Sequence, residues 1–252
     1  MLIRLSFTIT MAIFGAGLIC LVMFSRNNQL VASPMVSEVQ LLQVGVFHGD
    51  EVSAESGEVW LGFFSTPDGH ALIPSRITVE TVYDPLVDDG GETTGKAVSV
   101  DNQTSPLFLI KGLEISQRQF IKTLSAEQTI LSLGKFLSLR LGDKNEYHLT
   151  VYGEGEVGPN GFTSLSNYSL ELSKGQLSQE LVAYRSTDGA MPSLVWAGDL
   201  DGDSQLDLLI NAPPHYGASS AQGLFLSSMA QVGNLVQKVG MNRKIRDVVI
   251  DN

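Results

Sequence analysis

The sequence predicts an exported, mainly β protein, arranged as a sandwich-like or irregular β-sheet assembly. Three observations predict it. An uncharged apolar segment opens the chain, many short β-rich runs are punctuated by turn residues, and a cluster of aspartates sits between two such runs near the C-terminus.

The opening segment runs from Leu5 to Ser25 without a charge, with Arg4 before it and Arg26 after it. A positive start followed by an apolar stretch is an export signal. The stretch is longer than the roughly 7–15 residues of an ordinary signal core and close to the ~20 that span a bilayer as a helix. Residues 1–33 are therefore read either as a signal peptide or as an uncleaved anchor. The small-residue site Val31-Ala32-Ser33 is followed by an unfavourable Pro34. Either reading places the rest of the chain outside the cytoplasm, periplasmic or secreted, in contact with membrane only through this segment.

The one cysteine, Cys20, lies inside the apolar segment. The remainder has neither a disulfide nor a thiolate zinc site. Arg4 and Arg26 are the only charges in residues 1–33, which leaves 14 basic against 27 acidic residues in the rest of the chain. So acidic a surface excludes nucleic acid and anionic headgroups as partners and leaves a protein or a glycan.

The elements follow in order. Residues 26–37 form a linker around Pro34. Val39–Phe47 and Glu58–Phe64 are apolar and β-rich, and Ile77–Tyr83 alternates with period two as a half-buried strand does. Asp84–Thr104 carries Asp-Pro, Asp-Asp-Gly-Gly and Thr-Gly, the chemistry of turns and an exposed hairpin. Leu107–Ile110 is a short strand. Ile115–Leu124 is the one helical pattern in the first half. Strands are expected again at Thr129–Leu133, Phe136–Leu141, Tyr147–Tyr152, Tyr168–Leu172, Leu181–Tyr184, Leu194–Ala197, Leu206–Ile210, Leu224–Leu226 and Leu235–Val239. Gly153–Gly161 reads as a loop and Met241–Asn252 as a mixed tail. A weak boundary near 113–128 divides an N-terminal β region, 34–115, from a C-terminal one, 125–252. Trp60 and Trp196 read as core anchors.

The aspartate cluster carries the chemistry. Asp199, Asp201, Asp203, Gln205 and Asp207 occupy positions 1, 3, 5, 7 and 9 of a nine-residue turn. Alternate side chains of a tightly curled loop point inward, so the first three converge. Position 7 commonly gives its backbone carbonyl, and a later carboxylate closes the shell. Calcium, a hard cation taking six to eight oxygens, is the ion such a set suits. Carboxylates packed this closely repel one another without a cation. The loop is not an EF-hand, because position 12 is Ile210 within a strand-like run instead of a bidentate Glu.

Gly198-Asp-Leu-Asp-Gly-Asp-Ser-Gln-Leu-Asp-Leu-Leu-Ile-Asn-Ala-Pro213 resembles the FG-GAP, or VCBS-type, repeat of integrin alpha chains and bacterial secreted proteins. The resemblance implies a calcium-binding β-hairpin with Asp199, Asp201, Asp203 and Asp207 as side-chain ligands and Gln205 giving its carbonyl. It departs at Ser204, where the family usually has Gly. A left-handed turn there costs a non-Gly residue roughly 1 kcal/mol. The resemblance covers about residues 194–213, and a single repeat does not make a propeller of 4–8 blades.

Catalytic motifs are missing. His48, His70, His148 and His215 have no metal-ligand spacing, and no nucleophile elbow or phosphate loop occurs. His48-Gly-Asp-Glu51 is a polar cluster, and His215-Tyr216 follows the acidic hairpin. The function this predicts is a non-catalytic binding or envelope module whose fold calcium stabilises. The alternative is an extracytoplasmic hydrolase of polysaccharide or peptide, using carboxylate pairs such as Glu154 and Glu156 or Asp88 and Asp89.

Overall fold

A computed structural model of the protein describes residues 39–244 apart from 103, 114–120, 126–127, 144, 158–162, 188–190 and 214–219. The chain is mainly β, and every strand pairing is antiparallel. The apolar segment Leu5–Ser25 lies outside the described residues. Among those described, no helix is long and apolar enough to cross a membrane.

The run Val39–Phe47 becomes two short strands, β1 (Gln40–Leu42) and β2 (Gly45–Phe47), followed by β3 (Val59–Thr66), β4 (Gly69–Val82), β5 (Gly95–Val100) and β6 (Phe108–Lys111). Their order in the sheet is β1-β6-β3-β4-β5-β2. The strands at the two ends of that order, β1 and β2, are separated by only Gln43 and Val44, so the sheet curls round like a small barrel. The 14-residue β4 turns the corner, pairing with β3 through Gly69–Arg76 and with β5 through Ile77–Val82. Leu42, Phe47, Trp60, Ile77, Val98 and Leu109 fill the interior.

Ten more strands follow: β7 (Lys122–Ser125), β8 (Thr129–Ile130), β9 (Phe136–Leu141), β10 (Asn145–Val157), β11 (Thr163–Lys174), β12 (Leu177–Thr187), β13 (Ser193–Asp199), β14 (Asp207–Asn211), β15 (Ser220–Leu226) and β16 (Gln237–Lys244). Strands β9 to β12 form a four-stranded meander. The last sheet runs β16-β15-β14-β13-β7, with β8 also paired to β13.

That last sheet is apolar on both faces. Leu194, Ala197, Leu208, Ile210 and Phe225 pack on Tyr147, Leu149, Tyr168 and Leu170 of the meander. Val195, Trp196, Leu209, Leu224 and Leu226 pack on Phe63, Leu72, Phe108 and Ile110 from the outer side of the barrel. Burial on two sides explains why 194–197 and 208–210 read as unbroken apolar runs without alternation. A bulge between Leu194 and Trp196 lets two successive residues, Val195 and Trp196, face the barrel. Both tryptophans are core anchors as expected. Trp196 is fully buried, edge-on to Phe63, and its Nε1 donates to Thr123 Oγ1 at 3.1 Å. Trp60 is 3% exposed and donates to Glu58 Oε2 at 2.8 Å.

Three expectations are corrected. Residues 121–124 of the expected Ile115–Leu124 helix are extended, with Ile121 bridging His70 and β7 pairing with β13. The moderate helical periodicity yields here to pairing and to burial of Ile121 in the shared core; residues 114–120 lie outside the described set. The expected loop Gly153–Gly161 is strand as far as Val157. Gly153, at φ 143, occupies a bulge between Tyr152 and Glu154, where a Cβ would meet Ser166 O at 3.1 Å, so this glycine continues the strand. Finally, Asp84–Thr104 is less exposed than its turn chemistry suggests. Asp84 and Asp88 are buried and β5 falls within the segment.

Candidate metal centre and other polar clusters

The loop 200–206 joins β13 to β14. The last ladder pair is Gly198↔Asp207, which brings Asp199 and Asp207 to the same end of the hairpin. Leu200 and Leu206 are both fully buried, Leu200 in the core shared with the barrel and Leu206 in the core shared with the meander. The bend is pinned on both sides by these two leucines, and its aspartates stand between them.

The carboxylates organise the backbone. Asp199 accepts from the amides of Gly202 (2.6 Å) and Ser204 (3.1 Å), and Asp203 Oδ1 from that of Gln205 (2.7 Å). Asp207 Oδ2 accepts from the Leu200 amide at 2.7 Å. Ser204 has φ 65, the left-handed turn that the Gly-for-Ser departure implied.

Oxygens of Asp199, Asp201 and Asp207 lie within 4.8 Å of one another. Calcium–oxygen distances are about 2.3–2.6 Å, so two ligands across one ion stand up to roughly 5 Å apart. The spacing and the all-oxygen chemistry therefore fit a single hard cation. Asp203 is outside this trio; it is exposed, and its second oxygen accepts from Ser227 Oγ at 2.8 Å. Gln205 lies exposed in the same loop.

Burial pushes Asp207 up to about 7, with the nearby Asp201 charge adding to it, although the Ser227 and Leu200 amides oppose the shift. Burial also raises Asp199, helped by the charges of Asp203 and Asp201 and opposed by two amides. The cluster thus concentrates more negative charge than its own donors neutralise.

Three contributors were not visible in the sequence reading. Ser227 donates its amide (2.9 Å) to Asp207, and its hydroxyl stands 3.0 Å from Asp207 and 2.8 Å from Asp203, so one proton serves two acceptors. Ser228 Oγ donates to Asp201. Asn145 Nδ2, from β10, donates to the Ser204 carbonyl at 3.1 Å. Only adjacency to the strand Leu224–Leu226 hinted at the two serines.

The other candidate clusters have local explanations. His48 Nδ1 donates to Asp84 Oδ2 at 2.5 Å. Asp88 accepts from the amides of Asp84 (2.7 Å) and Thr94 (2.8 Å) and from Thr94 Oγ1 (2.5 Å), so it is spent on a turn. Glu154 is exposed on β10. His70 stacks on Phe63 at 5.2 Å and burial lowers its pKa; His148 stacks on Phe136 at 5.0 Å. His215 and Tyr216 lie outside the described residues.

No family model matches the chain, and neither the curated proteins nor the solved structures searched gave a match.

Proposed function

We propose that this chain is a non-catalytic module that works outside the cytoplasm, binds a protein or glycan partner, and uses one calcium ion to stabilise its fold. The observation that carries the reading is the trio Asp199, Asp201 and Asp207, three carboxylate oxygens within 4.8 Å at a bend pinned by Leu200 and Leu206. Asp203 and the Gln205 carbonyl would complete the shell, as the likeness to an FG-GAP-type repeat implies. The ligands occupy the bend itself, and the hydroxyls described beside them, Ser227 and Ser228, are spent on donating to those carboxylates, which supports a structural role for the ion. The apolar segment Leu5–Ser25 supports export, with or without retention as an anchor.

Calorimetry of the purified protein with calcium and with chelator tests the metal half. The expected result is one bound ion and a higher melting temperature in calcium. An unchanged melting temperature together with no bound metal would sink it. Protease accessibility of residues 36–252 in intact and opened cells tests the location, and protection inside the cytoplasm would overturn it.

A further inference from the structure

A second acid-rich turn, remote in sequence from the metal loop, presents apolar side chains to solvent. Between β4 and β5 the chain reads Tyr83-Asp-Pro-Leu-Val-Asp88. Leu86 is 75% exposed, Val87 62% and Tyr83 49%, while Asp84 and Asp88 between and beside them are buried. Single exposed apolar residues are ordinary on protein surfaces. Three within five positions, with an exposed Pro85 among them, form a contiguous tip.

The tip is held rigidly. Asp84 Oδ1 accepts from the Leu86 amide at 3.0 Å and its other oxygen takes the His48 bond. The Asp84 carbonyl accepts from the amides of Val87 and Asp88, and Asp88 ties the base of the turn together, with two bonds from Thr94 and one from the Asp84 amide. Gly49 packs so closely that a Cβ there would lie 2.1 Å from the Thr94 carbonyl oxygen. Two carboxylates are thus buried to fix the shape of a turn whose apolar side chains belong to none of the described core clusters. A tip ordered in advance loses little entropy when it docks.

The charge around it selects the kind of surface. From Ile77 to Gly95 there are five acids and no Lys or Arg, and Glu80, Asp89 and Glu92 are exposed beside the tip. The neighbouring Lys96 is occupied with the Val52 carbonyl at 2.6 Å. An acidic rim is repelled by the negative potential of anionic bilayers and is complementary to a basic rim on a protein.

We propose that the Tyr83–Val87 turn is a docking knob for a protein partner whose surface offers an apolar pocket rimmed by lysine and arginine. The proposal does not depend on calcium, so a protein without a metal response would leave it standing.

The test places the photo-crosslinking residue p-benzoylphenylalanine at Leu86 of the full chain in its native cells, with the exposed Glu55 as control site. A discrete protein adduct at position 86 and not at 55 is expected. That protein is then identified, purified and titrated. Leu86→Asp with Val87→Asp is expected to weaken binding at least about 30-fold, as loss of a central anchor does. Raising salt from 50 to 500 mM is expected to weaken it about tenfold. Both side chains are largely solvent-exposed, so the melting temperature should match the wild type; the milder pair Leu86→Ser and Val87→Thr serves if it does not. No adduct above the control, an adduct with lipid, an adduct with a second copy of this chain, or a partner indifferent to the substitutions would each overturn the proposal.

Discussion

Two turns of this molecule bury aspartates, and they do so with opposite electrostatic results. In the turn after β4, burial works against the charge of Asp84 and Asp88, but bonds from His48, Leu86, Thr94 and the Asp84 amide outweigh it, and both carboxyls are held below their ordinary value. In the bend between β13 and β14, burial and mutual repulsion outweigh the amides and serines, and Asp199 and Asp207 are raised. Buried aspartates alone therefore do not mark an ion site. What separates the two turns is the balance between donors and like charges: the donors of the first outweigh burial, whereas those of the second do not, and the proposed cation would fill that role.

The largest expected effect comes from supplying that cation. At calcium about 100-fold above its dissociation constant, the protein should gain about 2.7 kcal/mol, or roughly 5–10 °C in melting temperature for a chain of this size. Asp201→Asn should abolish this gain while leaving the calcium-free protein as stable or more so, because it removes one of the repelling charges. Asp88→Asn should leave the calcium-dependent shift intact. Scanning calorimetry of the two variants with and without calcium checks the contrast, and a calcium response lost in Asp88→Asn would break it.

A smaller effect is expected at Ser204. Its φ of 65 suits glycine, so Ser204→Gly should stabilise the protein by about 1 kcal/mol with or without calcium. Urea denaturation in both conditions measures it.

The smallest effect concerns the self-sufficient turn. The bond to Asp84 raises the His48 pKa, burial opposes it, and the charges of Asp84, Glu51 and Asp50 add to the rise. Protonated His48 therefore contributes stability that is complete below 6.5 and is lost as pH climbs through the raised value. Asp84, being depressed, contributes above 3.8 and loses that contribution as pH falls through its folded value. The stability difference between wild type and His48→Gln should be largest just below pH 6.5 and shrink as pH climbs through the raised His48 value. A difference that grows with pH would show the pair to be arranged otherwise.

Much of this was legible locally. Strand β9 begins and ends where its pattern predicts, and the spacing of the aspartates marked the bend, because alternation and turn chemistry are properties of neighbours in sequence. The curling of the first sheet round like a barrel, the conversion of 121–124 to strand and the burial of Asp84 and Asp88 depend on partners tens of residues away. The same holds for Ser227 and Ser228 at the acidic bend. A hydroxyl following a strand carries no sign that it will meet Asp207. The turn at 84–88 misled for a related reason: its residues signal a bend, and only His48 and Thr94 decide whether the acids point outward.

The doubly covered sheet has a consequence for how the chain must be made. The outer side of the barrel, with Phe63, Leu72, Phe108 and Ile110, belongs to the first half of the sequence, whereas Trp196, Leu209 and Leu224 that cover it belong to the last quarter. During synthesis the early half emerges with that face bare, and it stays adhesive until the final strands arrive. Nascent chains stalled before residue 193 are the species a folding helper would need to shield, and the completed chain is not.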